Sequence, residues 1–377
     1  MLEMTNKKKV IKILIVDDSP VALILLKRII SVSREIEVVG TAKNGLEALK
    51  LIPKVQPDVI CTDLHMAFMN GLEFTREVMQ RYPRPILVIS NSVQKYDTQN
   101  VFQLLEAGAV DVLPKPETGL TSDYEITQQE LINKIKILSG VKVFTHYRRN
   151  INRVKQENQP KIFVQNRKDK LVNIPIVSAK KTISQYCRAA KTIKVVAIGA
   201  STGGPQALKT ILQNLPSNLS VPIICVQHIS KGFLTGLINW LAHECKLPVK
   251  IASYGELPQA GVVYFPLEEH HLELNNMGKF VCSKTPFLGG HRPSITVTFN
   301  SVANFYGSSS AGILLTGMGR DGADGMVAIA KAGGLTIAQN EATSVIFGMP
   351  KEAIDLGAAQ YILSINDITP VLLNHIS

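Results

Sequence analysis

The stretch Val195-Val196-Ala197-Ile198-Gly199-Ala200-Ser201-Thr202-Gly203-Gly204-Pro205 decides how this chain is read. The apolar run reads as a buried strand, the glycines as a sharp turn carrying one serine, and Pro205 as the first turn of a helix. A strand fixes the serine in place. Glycines permit tight backbone angles and close approach of another molecule, and a helix N-terminus aims N–H groups at developing negative charge. The same spacing also occurs in inert loops, so partners elsewhere in the chain must decide its chemistry.

A chain of 377 residues is long for one domain and predicts two. Its five cysteines, Cys61, Cys187, Cys225, Cys245 and Cys282, form no C-x-x-C pair, and three lie in apolar runs. That pattern fits reduced, buried thiols in a cytoplasmic protein and argues against a disulfide framework or a zinc site. No apolar run approaches the ~18–20 residues of a spanning helix, so no membrane insertion is expected. The lysines of residues 1–9 lead straight into an apolar run ending at Asp17-Asp18, which reads as a strand and not as a signal peptide.

The net charge of +11 is localised. Basic and acidic residues balance over 1–140 and again over 192–377. Residues 141–191 carry the whole excess, including Arg148, Arg149, Arg153, Arg167, Lys168 and Lys170 against only Glu157 and Asp169. This segment lacks sustained periodicity and reads as a basic, flexible linker (141–191) between domains at 8–140 and 192–377. A solvated tether is the plain interpretation, and docking to an acidic partner or nucleic acid is the alternative. No helix-turn-helix or zinc-finger pattern supports nucleic-acid binding, and none is expected.

Within 8–140, strand-like runs at 12–16, 38–39, 59–62, 86–89 and 110–113 alternate with amphipathic helical stretches at 20–32, 44–52, 71–80, 101–107 and 128–138. Such alternation predicts a parallel α/β sheet with function at the carboxyl ends of its strands. The polar residues collect there. Asp17 and Asp18 close the first strand, Asp63 the third, Ser90 the fourth and Lys115 the fifth. Three carboxylates in one crevice repel each other unless a cation sits among them, and hard oxygen ligands suit Mg²⁺. The lysine and the hydroxyl would complete a phosphate cradle.

Asp17-Asp18-Ser19, Thr62-Asp63-Leu64-His65-Met66, Asn70-Gly71, Ser90 and Leu113-Pro114-Lys115-Pro116 resemble a two-component receiver domain of flavodoxin-like (βα)5 fold. The resemblance implies that Asp63 accepts a phosphoryl group from a histidine-kinase partner. It also implies that Asp17, Asp18 and Asp63 hold Mg²⁺, that Ser90 and Lys115 bind the phosphoryl oxygens, and that a cis peptide precedes Pro116. Ala67 stands where the family often has proline, and Val112 where it has its switch aromatic.

From residue 192 on the chain is α/β again, with strand candidates at 194–198, 222–226, 262–265, 271–274, 280–283, 312–315, 335–338 and 360–363. A serine needs a base within hydrogen-bond reach and a third group to orient that base. His228 ends the strand after the serine turn, and adjacent parallel strands end on the same edge. Asp321, in the glycine-rich turn Thr316-Gly317-Met318-Gly319-Arg320-Asp321-Gly322, offers the acid, with Asp324 close by as a competitor. A dinucleotide site is disfavoured. The glycines do not match G-x-G-x-x-G, and Gln227-His228 stands where a ribose-binding acid belongs.

The segments at 197–205 and 226–228, His270-His271-Leu272-Glu273-Leu274, His291-Arg292-Pro293-Ser294, and those at 315–323 and 338–350 resemble the chemotaxis protein-glutamate methylesterases. Thr296 and Asn340 replace residues that are often aspartate there. The resemblance implies a doubly wound, mainly parallel catalytic domain with Ser201 as nucleophile, His228 as base and Asp321 as orienting acid. Thr202 and Met318 would lie near the oxyanion, and this half would need no cofactor. The implied substrate is a glutamate methyl ester, or a glutamine, on a methyl-accepting chemoreceptor, met in an open groove. A cytoplasmic monomer is expected. Two other function classes are a receiver gating a dead hydrolase, and a regulator that binds nucleic acid through the basic segment.

Overall fold

The computed structural model describes residues 9–90, 97–116, 122–141, 143, 162–163, 173–174 and 192–376. The chain divides into two compact units, Met1–Arg148 and Arg149–Ser377. The basic segment 141–191 lies outside the described residues, apart from Val141, Val143 and two short strands, β6 (Ile162–Phe163) and β7 (Asn173–Ile174).

In the first unit, β1 (Ile11–Val16), β2 (Ile36–Ala42), β3 (Val59–Thr62), β4 (Ile86–Ser90) and β5 (Asp111–Pro114) form a parallel sheet in the order 2-1-3-4-5. The inner strands are near-continuous apolar runs because helices cover both faces. Ile13–Val16 and every residue of β3 and β4 are buried. The helices are α1 (Pro20–Ile30), α2 (Gly45–Val55), α3 (Gly71–Arg81), α4 (Asp97–Glu106) and α5 (Ser122–Leu138). Local chemistry sets their starts. Ser19 accepts the Ala22 N–H, with Pro20 beginning α1, and Asn70 and Glu73 form a reciprocal capping box on α3. β2 runs well beyond the expected 38–39. Its middle is only half buried, so alternation is weak and the sequence under-reads its length.

The second unit is built on a seven-stranded parallel sheet. Its strands are β8 (Val195–Ala200), β9 (Ile223–Gln227), β10 (Val249–Ile251), β11 (Val263–Phe265), β14 (Ser310–Leu314), β15 (Leu335–Gln339) and β16 (Tyr361–Leu363), in the order 10-11-9-8-14-15-16. β12 (His271–Leu274) and β13 (Phe280–Ser283) were expected as strands and are strands. They form a separate antiparallel hairpin, because Asn275 Oδ1 accepts the Met277 and Lys279 N–H groups and turns the chain straight back. Edge strand β10 leaves no imprint in the sequence, since it has only three residues, two half-buried and one exposed, too few to show a period.

Helices α6 (Gly204–Leu212), α7 (Leu234–Glu244), α8 (Ile295–Tyr306), α9 (Ala323–Lys331), α10 (Met349–Asp355) and α11 (Ile365–Leu373) complete the unit. Ile224, Val226, Tyr264, Phe280, Phe299, Leu314, Met326 and Met349 belong to one buried cluster between this sheet, the hairpin and its helices. The chain leaves β8 toward β9 on one side and returns through β14 on the other. The switch in direction therefore opens a crevice at the carboxyl ends of β8, β9 and β14.

Candidate functional site

Ser201 follows β8, His228 follows β9, and the turn carrying Asp321 follows β14. Register brings the first two side by side. Ala200 pairs with Gln227, and the His228 N–H donates to the Ala200 carbonyl at 3.0 Å. The Ser201 N–H donates across the other side to the Thr316 carbonyl at 3.0 Å. Gln227, buried, donates through Nε2 to the Ser201 carbonyl at 2.9 Å and to the His228 carbonyl at 2.7 Å, tying the two strand ends together.

Glycine is required at two points of this turn. Gly203 has φ +76°, and a Cβ there would meet Val345 at 2.6 Å. Gly317 passes so close that a Cβ would lie 2.7 Å from the Ser201 Cβ. Met318 therefore sits on the turn that touches the serine. Its side chain is exposed, and among the described residues its N–H has no acceptor. Thr202 is buried, and its carbonyl accepts the Thr316 hydroxyl at 3.0 Å.

His228 donates Nε2–H to Asp321 Oδ2 at 2.9 Å. Its Nδ1 is buried and has no hydrogen-bond partner among the described residues. The proton thus belongs on Nε2 and the free lone pair on Nδ1, the reverse of the usual serine-hydrolase arrangement, in which Nδ1 faces the carboxylate. No hydrogen bond joins Ser201 to His228 among the described residues. Nucleophile and base commonly close up only when substrate arrives.

The surroundings of Asp321 were not legible in the sequence. Its carboxylate caps the N-terminus of α8. Oδ2 accepts the Ile295 N–H at 2.7 Å, and Oδ1 accepts the Thr296 N–H at 3.0 Å, the Ser294 hydroxyl at 2.8 Å and the Gly322 N–H at 2.9 Å. The first backbone N–H groups of a helix have no internal partner and carry the positive end of its dipole. Burial pushes the Asp321 carboxyl up, but the His228 hydrogen bond and charge and the Thr296 hydrogen bonds outweigh it and hold the group well below the usual carboxylate range. Asp324, the competing acid, turns away to pair with Arg320 on the surface. Ser294 before an apolar helical run was the one available sign of an N-cap. His291 stacks on His228 with ring centroids 3.9 Å apart and planes 6° apart, which no local pattern announces.

In the first unit the sequence-predicted residues meet at one sheet edge. Asp17, Asp18 and Asp63 present oxygens all within 4.8 Å of one another. Lys115 Nζ lies 2.8 Å from both Asp17 and Asp63, and Ser90 is buried beside them on the next strand. Burial raises the Asp63 carboxyl above its ordinary value, with the Asp17 charge adding to it, and Lys115 only partly offsets this. Hydrogen bonds to both carboxylates raise Lys115 although burial opposes them. The cluster thus retains excess negative charge among hard oxygen ligands, and Asp18 is open to solvent. Those residues fit a hydrated divalent cation such as Mg²⁺.

The expected cis bond before Pro116 is not observed. Among the described residues the cis peptide is Arg292–Pro293. The trans form is the lower-energy one for an X–Pro bond, and Lys115 reaches both carboxylates from it. Burial pushes the Cys61 thiol up to about 12, in keeping with an inert core thiol. Cys187 lies outside the described residues. Cavities of about 500 Å³ and 590 Å³ occur beside α8 and at the base of the first sheet, and neither includes Ser201, His228 or Asp321. No helix among the described residues is long and apolar enough to cross a membrane.

Residues 196–372 match the family model described as CheB methylesterase, and residues 13–121 match the response regulator receiver domain. The chain is 39% identical over 363 residues to protein-glutamate methylesterase/protein-glutamine glutaminase 1 of Syntrophus aciditrophicus, covering 96% of this chain and 97% of that one. It is 41% identical over 357 residues to protein-glutamate methylesterase/protein-glutamine glutaminase 3 of Hahella chejuensis, covering 93% and 95%. Among solved structures, the Thermotoga maritima CheB methylesterase catalytic domain is 37% identical, covering 49% of this chain and all of that one, with a TM-score of 0.48.

Proposed function

Because this chain belongs to the CheB methylesterase family, with a response-regulator receiver domain at its N-terminus, we propose that it hydrolyses glutamate γ-methyl esters, and glutamine amides, on chemoreceptors. Residues 8–140 act as the receiver, 141–191 as a tether and 192–377 as the catalytic domain. The observation that carries the mechanism is the His228–Asp321 contact at 2.9 Å, with the free Nδ1 lone pair one strand away from Ser201.

In the proposed reaction Ser201 Oγ attacks the ester carbon while His228 Nδ1 takes its proton. Asp321 stabilises the imidazolium. The tetrahedral oxyanion is held by the N–H of Met318, on the turn packed against Ser201, a donor worth about 3 kcal/mol in comparable sites. His228 returns the proton to the methoxide, and methanol leaves. Water, deprotonated by the same nitrogen, then attacks the acyl-serine and frees glutamate and Ser201. With glutamine the leaving group is ammonia and the steps are otherwise the same.

In the receiver, Asp63 accepts a phosphoryl group from a chemotaxis histidine kinase, and phosphorylation relieves inhibition of the catalytic domain. Asp17, Asp18 and Asp63 would hold Mg²⁺, which neutralises the incoming phosphoryl charge, while Ser90 and Lys115 receive its oxygens. The protein acts as a cytoplasmic monomer.

Methanol release from methylated receptor tests both halves. Wild-type protein should release methanol faster with a small phosphodonor present, and Ser201→Ala should release none above background in either condition. Activity surviving in Ser201→Ala overturns the assignment.

A further inference from the structure

His271 is a fully buried imidazole that the proposed chemistry does not use. It opens β12, and both of its ring nitrogens are engaged. Nδ1 accepts the Ser294 N–H at 3.1 Å, and Nε2 donates to the Pro286 carbonyl at 3.2 Å. Both bonds need the tautomer with its proton on Nε2, because a carbonyl cannot donate and a backbone N–H cannot accept. One ring therefore holds both ends of the loop 286–294 against the hairpin.

That loop supplies two groups to the site. Ser294, at its far end, donates its hydroxyl to Asp321 Oδ1 at 2.8 Å and caps α8, whose first N–H groups hold the same carboxylate. His291, near its tip, stacks on His228. The helix behind it is fixed to the same strand. The Thr298 hydroxyl donates to the Leu272 carbonyl at 2.7 Å, and the Leu274 N–H donates to the Ser301 hydroxyl at 3.2 Å. Resting on the Ser201–His228–Asp321 assignment, we infer that His271 is a positioning residue for the reaction. By gripping the Ser294 N–H it sets the carboxylate that orients the base, and by gripping Pro286 it anchors the loop that covers the base.

The two grips are separable by substitution. A glutamine side chain places its Nε2 near that of histidine, so His271→Gln keeps donation to Pro286 and loses the acceptor for Ser294. An asparagine places its Oδ1 near histidine Nδ1, so His271→Asn keeps the Ser294 bond and loses Pro286. The readout is the rate at which a fluorophosphonate labels Ser201 in the full chain, measured against pH and corrected for folded protein by circular dichroism. Among the described residues Asp321 hydrogen-bonds the His228 ring and His291 stacks on it, so a moved midpoint of the labelling profile reports a change in how these two groups hold the ring.

His271→Gln should label about 10- to 100-fold more slowly at its plateau, with its midpoint moved to lower pH. His271→Asn should keep the wild-type midpoint. Ser294→Ala, which leaves His271 in place, should reproduce the shift, and combining it with His271→Gln should add little. Loss of folded protein alone lowers the amplitude and leaves the midpoint fixed. An unmoved midpoint in His271→Gln or in Ser294→Ala overturns the inference, and so does an equal shift in His271→Asn. Failure of wild-type protein to label at Ser201 would instead overturn the catalytic assignment beneath it.

Discussion

Replacing Asp321 with asparagine removes one charge and almost no volume, so its effect can be worked out bond by bond. Oδ1 accepts three donors, from Ser294, Thr296 and Gly322, while Oδ2 accepts two, from His228 and Ile295. The amide oxygen of asparagine will take the three-donor side, since the opposite orientation sets its NH₂ against three donors. The NH₂ then faces the Ile295 N–H and His228 Nε2. The Ile295 N–H loses its partner, at about 1–3 kcal/mol. His228 Nε2 must become an acceptor, which moves the ring proton to Nδ1, the nitrogen proposed to deprotonate Ser201.

An aspartate-to-asparagine change that traps the wrong tautomer in a serine-protease triad lowers kcat about 10⁴-fold. That corresponds to about 5.4 kcal/mol of barrier. Asp321→Asn should therefore release methanol about 10⁴-fold more slowly than wild type while remaining folded. Its melting temperature should fall by about 3–10 °C, from the lost helix-capping bonds. Circular dichroism melts and methanol release on the same preparation make the check. A folded Asp321→Asn protein with kcat within tenfold of wild type refutes the proposed path of the proton.

The same geometry sets four further outcomes. Asp63→Ala should abolish phosphodonor stimulation and keep basal methanol release, and equal stimulation of both proteins counts against the regulatory role. Burial and Asp17 raise the folded Asp63 above its unfolded value, so its favourable contribution is complete below about pH 4 and is lost as pH rises through the folded value; Asp63→Asn should accordingly melt above wild type at pH 8 by a margin that vanishes in acid. Asp321 is shifted the other way, so its contribution holds above about pH 4 and disappears as pH falls through the folded value, and the melting gap between wild type and Asp321→Asn should close in acid titrations. Gly317→Ala drives a methyl against the Ser201 Cβ and Met349 Sδ; it should cost about 1–3 kcal/mol of stability and about 100-fold in methanol release, and unchanged kinetics would show that the 317–318 turn has room to yield.

Much of the architecture was legible from residue types. Parallel strands covered on both faces are near-continuous apolar runs, which is why β1, β3, β4, β8, β9 and β14 stand out, each ending at a polar residue or a glycine turn. Short or weakly patterned pieces such as β10 and the two ends of β2 carry no such imprint. The separation of β12–β13 from the main sheet was equally hidden, because a hairpin and two sheet strands share one local pattern.

By itself, then, the order of residues determined which groups could do chemistry and at which strand ends they would stand, since alternation and apolar runs are local properties of the chain. Tertiary structure alone decided the rest. The strand order 9-8-14 puts three distant turns beside one crevice, and α8 arrives from a remote segment to aim its N-terminus at Asp321. Which nitrogen of His228 is left free depends on that arrival. An imidazole has two equivalent-looking faces in a sequence, and only the neighbour that fills one of them leaves the other to act as a base.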